Sequence, residues 1–309
     1  MTKETLNFLH RTYISIAEAQ KTSNIIDILK ELHQKLSDFI PKDEDVEEFD
    51  IFLRNLESSI KIRTKTFQIT NFVSDIVFAM LYIAIWANRE KHLDIDINLI
   101  ARRKSLESEL TKMLEKSDIH DRFGIRGIVL NQDSDDDHIE INKLMLFSNY
   151  VHNILTKCNR KEYNQFAEWV RNNPRIDNFT KARLSYVLQI PFRVYNVKDY
   201  IANPKKNGYQ SLHFVLMTEM YSDYMPGAEF EIQLRTNRMH QQSVNGESNH
   251  DLYKNSIDED LKQVFKIEDF SKVNIIGFTS YNSLDDDIDG IHWAKTFANR
   301  RISTSLVIN

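Results

Sequence analysis

Turn-forming residues are scarce in this chain, with seven glycines and five prolines in 309 residues. So little punctuation leaves room for long helices and few tight hairpins. The most apolar run, IVFAMLYIAIW at 76–86, is well short of the roughly 20 residues that span a bilayer. It reads as a core helix. Ahead of it, SNIIDILKELHQKLSDFI at 23–40 sets Ile26, Leu29, Leu32 and Leu36 at three- and four-residue steps, which is one apolar helix face. Ser23 is a candidate cap and Pro41 a stop. Further helices are predicted over about 44–60 and 66–90, so that residues 1–95 are helical nearly throughout.

Near residue 95 the texture changes to short apolar runs alternating with helices. LDIDINLIARR, FGIRGIVL (123–130), AEFEIQLRT (228–236) and VNIIGFTSY (273–281) read as strands. KSLESELTKMLEK reads as a helix, helices are expected from the acidic loop DSDDDH (133–138) to about 172, and 198–220 reads as a loop feeding a strand. NRMHQQSVNGESNHDLYK begins as a helix. The alternation predicts an α+β fold, a mixed β-sheet flanked by helices with a helical N-terminal extension.

Composition narrows the class. With 41% hydrophobic and 28% charged residues and a net charge of −5, the chain is neither disordered nor collagen-like. Cys158 is the single cysteine, which excludes a disulfide framework and a cysteine zinc site. The opening MTKETLNFLH lacks the basic-then-apolar pattern of a signal peptide, so a cytoplasmic protein without membrane association is expected. A mildly acidic chain does not advertise broad nucleic-acid binding, although net charge would not reveal a local basic pocket. The acidic runs at 133–137 and 285–289 read as surface, since their order of acids and glycines fits no EF-hand loop. His292, Trp293 and Phe297 read as packing residues.

Four constellations could carry chemistry. In RRKSLESELTK (102–112), Lys104, Ser108 and Lys112 recur every four residues, so a helix beginning near Lys104 would align them as a polyphosphate cradle or as a plain solvated basic face. In EFEIQLRT, alternation puts Glu231, Gln233 and Arg235 on one face and Phe230, Ile232 and Leu234 on the other. A polar site and a half-exposed sheet fit that pattern equally well. In NPKKNGYQSLH, Asn207-Gly208 favours a tight turn that presents Tyr209 beside Lys205 and Lys206. Such a group suits stacking on a base near phosphates, or a basic turn with a packed tyrosine. In HDRFGIRGIVL, Asp121 and Arg126 are five apart. They share a face only through a bulge near Gly124 or if Asp121 precedes the strand.

Together, and in this order, the segments resemble the synthetase domain of the RelA/SpoT family, whose members make guanosine tetra- and pentaphosphate. The R-x-K-x-x-x-S-x-x-x-K element matches Arg102, Lys104, Ser108 and Lys112, and D-x-x-G-I-R matches Asp121, Gly124, Ile125 and Arg126. The element D-Y-I-x-x-P-K-x-N-G-Y-x-S-L-H runs from Asp199 to His213, and E-x-Q-x-R-T-x-x-M-H covers Glu231, Gln233, Arg235, Thr236, Met239 and His240. A closing G-x-x-x-H-x-x-Y-K matches Gly246, His250, Tyr253 and Lys254. The resemblance covers roughly 95–255 and implies a nucleotidyltransferase-like fold of the small, single-function type. It divides the chain into a helical region at 1–94, a synthetase domain at 95–255 and an extension at 256–309, which would be a lid, an oligomer contact or an autoinhibitory segment.

The resemblance also implies roles. Members transfer the β,γ-pyrophosphate of ATP to the 3′-hydroxyl of GDP or GTP, the alarmone chemistry of the stringent response. Arg102 and Arg126 would flank the adenine, and Lys104, Ser108 and Lys112 would hold the ATP phosphates. Tyr209 would stack on the acceptor base, with Lys198, Lys205, Asn207, His213, Gln233 and Arg235 around the acceptor. Asp121 and Glu231 would carry Mg²⁺, with Glu231 also the base for the 3′-hydroxyl.

Two departures stand out. Where the family commonly has A-E-x-G, this chain has Ser243, Val244, Asn245 and Gly246, without the acid. Between Asp121 and Tyr200 lie 78 residues, more than compact members carry. The surplus is expected in helices around 155–190, where it would cover the acceptor site. That expectation keeps open a toxin-type member acting on the tRNA 3′ end or making adenosine polyphosphates. A catalytically silent nucleotide sensor is a third reading, disfavoured by the intact pair Asp121 and Glu231. Self-association is left open.

Overall fold

The computed structural model describes residues 1–19, 25–64, 66–104, 106–115, 119, 122–130, 137–218, 229–245 and 274–280. Helices α1 (Lys3–Ala19), α2 (Ile25–Ser37), α3 (Val46–Thr64) and α4 (Thr66–Lys91) come first. Strand β1 (Asp96–Arg103), helix α5 (Leu106–Glu115) and strand β2 (Phe123–Leu130) follow. Next are α6 (Asp137–Thr156), α7 (Arg160–Asn172) and α8 (Asn178–Gln189). The rest comprises β3 (Phe192–Asp199), β4 (Leu212–Thr218), β5 (Glu229–Thr236), α9 (Asn237–Asn245) and β6 (Asn274–Ser280).

The six strands form one sheet in the order β3-β4-β5-β2-β1-β6. Strands β2 and β5 run parallel and the other neighbours antiparallel, so the sheet is mixed as predicted. Strand β3 was not predicted from the sequence, and the reason is visible in it. It is an edge strand whose residues from Tyr195 to Lys198 are exposed, so it lacks the buried alternation that marks a strand.

One face of the sheet is apolar. Leu99 of β1, Ile125 of β2, Phe214 of β4 and Phe230, Ile232 and Leu234 of β5 share a core with α4, α6, α7 and α8. Helix α4 is buried from Phe72 to Trp86 except at Asp75 and Ile85, which are half-buried, as a helix with so little polar face must be. Its stretch Asn71–Lys91 is long and apolar enough to cross a membrane by composition, yet 78% of its most apolar window lies inside the fold. At Gly127 a Cβ would come within 2.6 Å of Leu234 Cδ2 and 3.2 Å of Leu99 Cδ2. Glycine lets the strand lie that close to its neighbours.

Helices α7 and α8, the surplus predicted around 155–190, do not lie over the face that carries Glu231, Gln233 and Arg235. Their buried residues Phe166, Val170, Leu184 and Val187 enter the core on the apolar face. Trp86 meets Phe166 edge-on at 5.8 Å. Arg183 of α8 pairs with Asp75 of α4, donates to Ser74 Oγ at 3.0 Å and lies 4.4 Å from the Phe78 ring. Asn159 caps α7 and Asp177 caps α8 through their side-chain oxygens. Apolar periodicity drives these helices to the apolar side of the sheet.

A second core holds α1, α2 and α3 together through Leu9, Tyr13, Leu29, Leu32, Phe49 and Phe52. Ile28 occupies the α2 place expected of Ile26, which is only half-buried. Leu110 and Met113 of α5 belong to this second core. Packing therefore does not follow chain order, since α4 sits with the sheet and α5 with the N-terminal helices.

Candidate active site

The opposite face of the sheet carries the polar residues. Gln233 lies opposite His213 on one side and Arg126 on the other, and His213 lies opposite Lys198. One row therefore crosses four strands. In the adjacent row, Gly124 separates Glu231 of β5 from Arg102 of β1. Two strand spacings of about 4.8 Å put those backbone positions roughly 10 Å apart. Strand β2 begins at Phe123. Asp121 itself lies outside the described residues, as do Gly246, His250, Tyr253 and Lys254.

The half-exposed alternative for β5 does not hold. Glu231, Gln233 and Arg235 are 9%, 5% and 2% exposed, nearly as buried as the apolar residues between them. Buried polar groups need partners, and Glu231 and Gln233 find theirs on the same face. Gln233 Nε2 donates to Glu231 Oε2 at 2.6 Å. His213 Nδ1 lies 3.0 Å from Glu231 Oε1, and its Nε2 lies 3.0 Å from the Tyr209 hydroxyl. Burial, then the charges of Lys205 and Arg235, hold the imidazole below its ordinary pKa against the opposing pull of Glu231. A carboxylate can only accept. With Glu231 ionised, Nδ1–H of the neutral ring donates to it, and Nε2 accepts from Tyr209 O–H.

The turn before β4 builds the rim. Gly208 N–H donates to the Lys205 carbonyl at 2.8 Å, so Lys206 and Asn207 are the central turn residues. Gly208 follows with φ 75°, a conformation open to glycine. Asn207 Oδ1 accepts from Tyr209 N–H at 3.3 Å, so this side chain fixes the turn. Lys205 Nζ stands 4.7 Å from the Tyr200 ring centre and 5.0 Å from that of Tyr209, within cation–π range. Tyr200 meets His213 edge-on at 5.2 Å, and burial together with the Glu231 charge raises its hydroxyl pKa.

Helix α9 closes the opposite side. Arg235 Nη1 donates to Ser243 Oγ, and the Arg235 guanidinium is 6.0 Å from the Tyr209 ring. Ser243 thus has a definite place in the sequence stretch that departs from the family. Burial, Arg235 and Arg126 push His240 down to about 4. Its Nδ1 is buried without a hydrogen-bond partner among the described residues.

Between β1 and α5 one expectation fails. Helix α5 begins at Leu106, so Lys104 is not on the helix with Ser108 and Lys112. Its backbone N–H instead donates to the Arg122 carbonyl at 2.9 Å, continuing the β1–β2 ladder past Arg103. Ser108 and Lys112 remain one turn apart on α5.

Reading by motif gave no role to Tyr200, Ser243 or the buried pair of Glu109 and Arg122. Tyr200 adjoins Asp199 in the turn motif and was legible as a second aromatic. The others carry no spacing signal. Among the described residues no group of three or more acidic, histidine or cysteine side chains is placed to hold a metal. Magnesium needs no such group, because it takes one or two carboxylates and leaves the rest to water and phosphate. Glu231 suits that demand by its chemistry, since a carboxylate oxygen can accept more than one bond.

Comparisons with known proteins agree with the motif reading. A family model described as a region found in RelA / SpoT proteins matches residues 89–258. A rice protein named GTP diphosphokinase CRSH1, chloroplastic, is 43% identical over 60 residues, 19% of this chain and 10% of its own. The GTP pyrophosphokinase of Escherichia coli K12 is 46% identical over 57 residues, 18% of this chain and 7% of its own. The chain thus spans a tenth or less of these curated relatives. The crystal structure of small alarmone synthetase 1 from Bacillus subtilis bound to its product pppGpp is 23% identical. It covers 54% of this chain and 67% of that one with a TM-score of 0.29, an overlap too partial to carry function. The family match spans more than half of the sequence and takes in the β1–α5 unit, both central strands and the Glu231 row, and on that ground the chain belongs to the RelA/SpoT family.

Proposed function

We propose that the chain is an ATP-dependent pyrophosphokinase that transfers the β,γ-pyrophosphate of ATP to the 3′-hydroxyl of GDP or GTP. The observation that carries this reading is Glu231, a buried carboxylate held on both oxygens by His213 and Gln233 at the centre of a polar sheet face. A hydroxyl is a poor nucleophile at neutral pH and needs a positioned base. Glu231 takes the 3′-hydroxyl proton as that oxygen bonds to the β-phosphorus. The bond from the β-phosphorus to the bridging α,β-oxygen breaks, and AMP leaves.

His213 keeps the carboxylate aimed through its Nδ1–H, and Tyr209 fixes the ring from the other nitrogen. The Tyr209 ring, flanked by Lys205 and Arg235, offers a stacking surface with cations for acceptor phosphates, joined by Asn207 and Lys198. Arg102 and Arg126 would flank the adenine, and Lys104, Ser108 and Lys112 would hold the ATP phosphates. Glu231 and Asp121 would hold Mg²⁺, which supplies charge neutralisation on the transferred group when bound. Positioning and charge neutralisation dominate this class of transfer.

The test offers γ-³²P-labelled ATP and Mg²⁺ separately with GDP, GTP, ADP and deacylated tRNA, beside a Glu231→Gln control. Label on GDP or GTP that disappears in the control is expected. Label on tRNA or ADP would keep the chemistry and replace the acceptor. Failure of every acceptor would overturn the reading.

A further inference from the structure

Among the described residues, helix α5 takes its buried apolar contacts from the N-terminal helices rather than from the sheet beside it. Leu110 and Met113 enter the core of α1, α2 and α3. A helix of ten residues has little stability of its own and stands where its neighbours hold it. A buried ion pair ties it to the residue before β2, with Arg122 Nε donating to Glu109 Oε1 at 2.8 Å, and the carbonyl of the same arginine accepts from Lys104 N–H just past β1.

That carboxylate oxygen is shared. Ser59 Oγ of α3 donates to the same Oε1 at 2.7 Å, and Arg122 Nη1 donates to the Ile119 carbonyl at 2.8 Å. Glu109 is 1% exposed. A carboxylate this deep keeps its charge only beside a matched cation and donors. The N-terminal helices, α5 and the residue preceding β2 therefore meet at one oxygen atom.

We infer that Glu109 and Arg122 are positioning residues that set α5 against the start of β2, making the N-terminal helices part of the frame of the ATP site. The inference rests on the proposed role of Ser108 and Lys112 as holders of the ATP phosphates. Neither Glu109 nor Arg122 occupies a motif position. They act by fixing the helix that carries two such positions, and a displacement of about 1 Å in a phosphate clamp is enough to be felt in rate.

The experiment compares the full chain with Arg122→Lys, Glu109→Gln and the double variant Glu109→Leu/Arg122→Met. Steady-state transfer from ATP to GDP gives the KM of each substrate. Calorimetry with α,β-methylene-ATP, whose α,β bridge resists cleavage, gives donor affinity without turnover, and thermal midpoints are recorded alongside. A rise of about tenfold in the ATP KM and analogue Kd is expected, with the GDP KM within twofold of wild type. The double variant removes both buried charges, so its midpoint recovers towards wild type while its donor affinity stays weak. Wild-type analogue affinity in the double variant, or equal rises in both KM values, would overturn the inference. Transfer by the wild-type chain with unaltered donor affinity in the variants would sink this inference alone. An inert wild-type chain that still binds the analogue, with affinity lost in the variants, would sink the proposed transfer and keep the positioning role.

Discussion

Both faces of strand β5 are buried, and for opposite reasons. Phe230, Ile232 and Leu234 lose water against apolar side chains of the main core, where volume and shape decide the outcome. Glu231, Gln233 and Arg235 lose it against one another and against His213 and Ser243, where each donor must find its acceptor. A residue on the first face tolerates a substitute of similar size. A carboxylate held on both oxygens does not. Neighbours on one strand thus obey different rules, and substitutions there should separate chemistry from stability.

The sharpest separation is expected at Glu231 and Ile232. Glu231→Gln should lower transfer by about 10²–10⁴-fold, the usual contribution of a general base, while ATP binding stays close to wild type. Turnover at the wild-type rate would remove the base assignment. Ile232→Ala should cost about 2–5 kcal/mol in urea unfolding, with the KM of both substrates unchanged at a temperature where the variant is folded. A KM shift without loss of stability would mean that the two faces are not independent.

The apolar face can also be broken by adding atoms. Gly127→Val forces the side chains of Leu234, Leu99 and Ile97 aside, and overpacking of this kind costs about 1–3 kcal/mol. An unaltered unfolding midpoint in urea would show that the strands can part there without penalty.

The relay on the polar face predicts a graded pair. Asparagine can imitate the Nδ1–H of His213, so His213→Asn should retain more transfer than His213→Ala. The gap should be about 10- to 150-fold, since a hydrogen bond to a charged group contributes about 1.5–3 kcal/mol. Equal losses would deny His213 its hold on Glu231. Tyr209→Ala should chiefly raise the acceptor KM, and an unchanged value would remove the stacking role.

The smallest effect is in the pH dependence of stability. His240 is pushed down to about 4 and His213 is also lowered, each first by burial, from the ordinary 6.5 that both regain on unfolding. Between those values the unfolded chain binds more protons than the folded one. Stability is therefore full above pH 6.5 and falls as pH drops towards 4. Thermal midpoints across that range should decline less steeply for His240→Asn than for wild type, and parallel curves would contradict the assignment.

Much of this was legible beforehand wherever local pattern and burial coincide. FGIRGIVL matches β2 residue for residue, and AEFEIQLRT matches β5 to within one residue, because strongly apolar alternation leaves no other comfortable conformation. The run at 76–86 lies in α4 for the same reason. Edge strand β3 escaped because its exposed residues carry no such pattern. The start of α5 was misplaced by the charge spacing of Lys104, Ser108 and Lys112, since four-residue steps describe a helix face without stating where the helix begins. Backbone pairing with Arg122 keeps Lys104 in the strand connection.

Sequence alone determined most of the secondary elements, the apolar faces and the identity of the polar residues, because period and chemistry are local properties of the chain. Tertiary structure decided what those faces meet. It buried the Glu231 face, joined Tyr209 to Glu231 through His213, and put α7 and α8 behind the sheet. It also tied α5 to the N-terminal helices through one carboxylate oxygen. Those outcomes depend on contacts between residues far apart in the chain, and no spacing rule within a segment contains them.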